Sequence, residues 1–99
     1  MTHIHLEDSH GECSLTAVEH ADTDEACIAI STLMCSIAEY AEAMQINVFI
    51  RLEPGDSCIV WRKNERGRFL LEYASTCCRA LQETLPKIFH FTEKVGAES

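Results

Sequence analysis

A thiol and an imidazole that could form a reacting pair stand near each other in this sequence, as Cys27 and His20. A thiolate is the nucleophilic form of cysteine, and a neighbouring imidazole can take the proton that must leave. A polar stretch, Ala21-Asp22-Thr23-Asp24, separates His20 from a helical pattern. Asp24 is a good N-cap, and Glu25 suits the positive end of a helix dipole. Cys27 is then the third helical residue, where unpaired backbone N–H groups and the dipole favour a thiolate. The same N–H groups could hold a developing oxyanion. On spacing alone, a buried structural cysteine and an unrelated surface histidine are the simpler reading.

Two other groups could carry chemistry. His3 and His5 alternate on one strand face, with His10 and Cys13 close behind, and a His-x-His pair can bind zinc. A polar strand face is the simpler reading, and no metal or cofactor is assigned. Cys77 and Cys78 are adjacent on a helical pattern and point about 100° apart, so they do not share a ligand role. Cys77 fits the apolar stripe. No Cys-x-x-Cys occurs among the six cysteines, which are expected to be thiols and mostly core filler.

The elements that must position these residues follow from periodicity. Residues 2–7 and 12–19 read as strands joined by a turn at Asp8-Ser9-His10-Gly11. Ala26, Ile30, Leu33, Met34, Ile37, Tyr40, Ala41 and Met44 recur at helical steps, giving a helix over Glu25 to Met44. Residues 46–52 and 58–62 read as a second strand pair around Pro54-Gly55-Asp56. A second amphipathic helix carries Leu70, Tyr73, Ala74, Cys77, Leu81 and Leu85 and stops at Pro86. The expected fold class is α+β, a two-layer sandwich of order ββαββα. Its four-stranded, mainly antiparallel sheet carries both helices on one face. A homodimer is one way to cover the other face. Lys94 to Ser99 read as a frayed tail.

With 99 residues the chain is one domain, 1–99. A net charge of −8 argues against direct nucleic-acid binding and suits a basic peptide better. No apolar run reaches the roughly 18 residues of a membrane span, and the N-terminus lacks the pattern of a signal peptide. A cytoplasmic location is the expectation.

The stretch His20-Ala21, then Asp24-Glu25-Ala26-Cys27-Ile28-Ala29-Ile30-Ser31, resembles the signature of the ribosomal-processing cysteine protease family, Prp. That signature is Gly-His-Ala, a flexible loop, and Asp-x-x-Cys-x-Ala-x-Ser opening a helix. Leu85-Pro86-Lys87-Ile88-Phe89 resembles the family's closing segment. The resemblance implies a homodimeric cysteine endopeptidase of bacteria and some phages. Such an enzyme removes a short N-terminal extension from a large-subunit ribosomal protein. It implies Cys27 as nucleophile and His20 as base, with Asp24 capping the helix and holding the loop, and Ser31 supporting packing. Two features depart from the signature. Glu19 stands where the family has glycine, and the loop between His20 and Cys27 is shorter. Both leave room for a non-catalytic peptide-binding homologue, and the histidines leave room for a metal-binding module.

Overall fold

The computed structural model describes residues 2–18, 24–53 and 55–95. In chain order these form β1 (Thr2–Ser9), β2 (Glu12–Val18), α1 (Asp24–Ala43), β3 (Val48–Glu53), β4 (Asp56–Arg62), α2 (Glu65–Thr84) and β5 (Phe89–Val95). The class is α+β with two helices, as expected. The sheet corrects the expectation: it has five strands in the order β3-β4-β2-β1-β5, and β5 runs parallel to β1. The chain order is therefore ββαββαβ, not ββαββα. Phe89 pairs with Thr2 and Phe91 with Ile4, which puts both phenylalanines on the core side. This edge buries Phe89 almost fully, a gain that only a partner far away in sequence can supply. Lys94 and Val95, expected to fray, belong to this strand.

Alternation fixes the sheet's two faces. Ile4, Leu6, Cys13, Leu15, Ala17, Ile59 and Trp61 point to the helices and are buried. His3, His5, Glu7, Ser14 and Thr16 take the other parity. That uncovered face is largely polar, so hydration can satisfy it without a partner. The β1–β2 turn consists of His10 and Gly11 with φ of 54° and 79°, the sign pattern of a type I′ hairpin turn.

On α1, Ala26, Leu33, Met34, Ile37 and Ala41 are buried. The helix packs on β3 and β4, while α2 meets β1, β2 and β5. By length and composition α1 could cross a membrane, contrary to the reading of the apolar runs. In this fold its apolar stripe is instead the core of a two-layer sandwich. The helices meet through Tyr40 and Tyr73, stacked with ring centroids 4.5 Å apart.

A compact corner locks α2 to the sheet. Lys63 Nζ lies 2.7 Å from Asp8 Oδ2, a carboxylate that is almost fully buried, and Lys63 N donates to Gly11 O at 2.8 Å. Asn64 caps α2 by accepting from Gly67 N at 2.8 Å, and Trp61 Nε1 donates to Gly67 O at 2.9 Å. A Cβ at Gly67 would collide with the Arg62 carbonyl oxygen and press on the Trp61 ring. In an open helix, glycine to alanine stabilises by about 1 kcal/mol. Here the sign should reverse. Gly67→Ala should destabilise by about 2 kcal/mol, read as a lower urea midpoint with an unchanged slope.

Candidate active site

Burial of Ala26 decides where Cys27 goes. Adjacent helical residues diverge by about 100°, so an inward Ala26 leaves Cys27 facing out. Cys27 is exposed, in the first turn of α1. The helix begins at Asp24, one residue earlier than expected, so Asp24 is helical rather than the residue before the helix. Asp24 and Glu25 are the acidic residues of that turn, favourable at the dipole's positive end. Ser31 lies one turn on, exposed on the same stripe as Cys27, as is Cys35 after it. The packing role expected for Ser31 is thus corrected: its spacing from Cys27 turns it to solvent. Glu19, His20 and Ala21 lie outside the described residues.

The histidine group does not assemble as a metal site. Among the described residues, no cluster of three or more His, Cys, Asp or Glu side chains could hold a metal ion. Cys13 is buried on the helix side, opposite in parity to His3 and His5. His5 Nε2 is 3.2 Å from Glu7 Oε1 and its Nδ1 is 2.7 Å from Thr92 Oγ1. The neutral ring can donate to the carboxylate and accept from the hydroxyl. His3 instead meets the edge of His90, with ring centroids 5.5 Å apart. Three of these histidines thus belong to the polar sheet face, and His10 to the hairpin turn.

The remaining cysteines separate by environment. Burial pushes the Cys13 thiol up to about 11, with the Asp8 carboxylate adding to it. Burial likewise pushes Cys78 up to about 12. Cys77, half-buried against the core, sits beside Tyr73 and raises that phenol above its ordinary range. Core filling therefore describes Cys13 and Cys78, whereas Cys27 and Cys35 are open to solvent.

Sequence reasoning missed the outer edge of the sheet. Phe49, Ile50 and Leu52 of β3 are 64%, 38% and 49% exposed. β3 and β4 both carry apolar residues at both parities, and only their burial, clean in β4 and lost in β3, separates them.

This architecture matches solved proteins over nearly its whole length. The crystal structure of SMU.848 from Streptococcus mutans superposes with a TM-score of 0.76 at 17% identity, covering 97% of this chain and 99% of that one. The essential ribosomal processing protease Prp from S. aureus, bound covalently to a product peptide, gives 0.76 at 14% identity, covering 95% and 100%. The same protease with a substrate peptide gives 0.77 at 13% identity, again covering 95% and 100%. This chain has the Prp fold. No protein-family model and no curated protein matches the sequence.

The cysteine environments set an alkaline limit on stability. Cys13 and Cys78 ionise at higher pH in the folded protein than in the unfolded chain, where a thiol titrates near about 8.5. Their contribution is full below that pH and is lost as pH rises toward the folded values. The urea midpoint should therefore fall steadily between about pH 8.5 and 11. A Cys13→Ala, Cys78→Ala double variant should show a shallower fall over the same range.

Proposed function

We propose that this protein is a cysteine endopeptidase with Cys27 as nucleophile and His20 as base. One observation carries the reading: Cys27 stands exposed in the first turn of α1, in a fold shared with Prp. His20 takes the Cys27 proton, and the thiolate attacks the scissile carbonyl carbon. Backbone N–H groups at the helix start stabilise the oxyanion. When the C–N bond breaks, His20 gives its proton to the leaving amine. Water, deprotonated by His20, then attacks the thioester, releasing the acid and restoring the thiol. Asp24 supports the loop at the helix start. Glu19 beside His20 would favour the imidazolium in place of the glycine of the signature.

The proposed substrate is a short N-terminal extension of a large-subunit ribosomal protein, or of a related phage or bacterial protein. The proposed setting is a reducing, cytoplasmic one, in which the free cysteines stay thiols. The proposed assembly is a homodimer. Glu19 and the short loop favour a second reading, a peptide-binding homologue without turnover.

Two measurements separate these readings. At pH about 6.5, iodoacetamide should modify Cys27 faster than it modifies Cys35 or a free thiol, located by peptide mass mapping. Equal rates remove the activated nucleophile. Cleavage of a ribosomal-protein extension should fall by at least about a thousandfold in Cys27→Ser and in His20→Ala. A peptide bound by both wild type and Cys27→Ser, and cleaved by neither, supports the binding homologue.

A further inference from the structure

We propose that the free edge of β3 is the docking strand for the substrate, which binds as an extended peptide of alternating apolar and basic residues and forms a sixth strand leading to Cys27. This inference rests on the proteolytic reading of Cys27 and names what that site takes.

Among the described residues, β3 is the terminal strand, paired with β4 on one side and with no strand on the other. A free edge presents backbone donors and acceptors that another extended chain can complete. Proteins usually blunt such edges with charge, proline or a bulge. This edge carries the charges of Arg51 and Glu53, but between and before them it exposes Phe49, Ile50 and Leu52.

The exposure is not uniform along the strand. Val48, at its start, packs against the core. Ile50 and Leu52 share its face, since they pair with Ile59 and Ser57 on the helix side of β4. They are nevertheless exposed, so α1 covers the Val48 end and leaves the Leu52 end open. Ile50 and Leu52 line the strand side of this opening, and exposed Cys27 stands in the first turn of the helix.

Topology places Cys27 at the same end. A tight turn, with Ile46 N donating to Ala41 O at 2.8 Å, carries the end of α1 into the start of β3. The helix therefore runs back along β3 and begins toward the Glu53 end. Its 20 residues span about 30 Å, against roughly 20 Å for the 6 residues of β3. The helix start overshoots the strand by about 10 Å, which about three residues of extended peptide can bridge. A peptide paired with β3 can thus place two side chains over Ile50 and Leu52 and carry its next peptide bonds to Cys27.

Charge selects the occupant. Asp24 and Glu25 at the helix start, with Glu53 and Asp56 at the strand end, make this region acidic. Arg51 is its neighbouring cation, and its Nη2 is already bound to Asp56 Oδ1 at 3.1 Å. A second copy of this chain would bring the same acidic groups and another net charge of −8. A peptide with lysine or arginine between apolar residues complements both the charge and the exposed side chains.

The test uses chloroacetyl-capped peptides, in which the Cys27 thiolate displaces chloride and forms a thioether. One probe alternates leucine and lysine over six residues, the second alternates leucine and aspartate, and the third is all serine. The leucine–lysine probe should label Cys27 at least about tenfold faster than either other probe, with the advantage over the aspartate probe shrinking in 0.5 M salt. Ile50→Ser and Leu52→Ser, made singly and checked for an unchanged circular dichroism spectrum, should each remove most of that advantage. Iodoacetamide labelling of Cys27 should stay unchanged in both variants. Rapid iodoacetamide labelling without discrimination among the probes overturns the docking strand but leaves the nucleophile. Ordinary iodoacetamide labelling removes the nucleophile itself. Variants that change the sedimentation of the free protein but not probe labelling show that β3 pairs with a second copy, which also overturns the proposal.

Discussion

The burial of one helix stripe governs the rest of this molecule. Ala26, Leu33, Met34, Ile37 and Ala41 must leave water, and β3 and β4 are where α1 buries them. Helical period then leaves Cys27, Ser31 and Cys35 on the solvent side with no further choice. Placing the thiol in the first turn, at the positive dipole end, follows from the same register. A one-residue change in where the helix packs would bury Cys27 and expose Ala26. The position of Cys27 is thus set by the apolar packing of α1.

The same packing explains why the sheet is asymmetric. The helix-facing side is filled by Ile4, Leu6, Leu15, Ile59 and Trp61, all close to fully buried. The other side carries mostly histidines, threonines and glutamates, with Val18 and Phe49 exposed among them. Of the exposed large apolar residues, Phe49, Ile50 and Leu52 gather on β3, at the open edge. Two terminal strands therefore differ in kind. β5 sinks Phe89 into the core, whereas β3 keeps Ile50 and Leu52 at the surface.

Most of this fold was legible from periodicity. The stripe from Ala26 to Met44 located α1 to within one residue at each end, because eight apolar positions at helical steps leave little freedom in register. The β1–β2 hairpin followed from Gly11 and the alternation on either side. β5 was missed although Phe89-His90-Phe91-Thr92 alternates, because Pro86 drew that segment into the close of α2. Its partner, β1, lies at the opposite end of the chain, and local pattern carries no information on such pairing. Of the candidate site, the first-turn position of Cys27 was legible because the apolar stripe and the acidic pair Asp24-Glu25 mark the helix start. Ser31 was misplaced because a motif match does not say which way a side chain faces. The β3 edge was overlooked because apolar residues at both parities look like a buried strand until the neighbours are known.

The proposed chemistry requires that His20 and Cys27 interact. Nuclear magnetic resonance titration of the His20 imidazole, in wild type and in Cys27→Ser, tests this most directly. A thiolate beside the ring stabilises the imidazolium, so His20 should titrate at higher pH in wild type, by about one pH unit or more. Identical titration of His20 in the two proteins would contradict the pair.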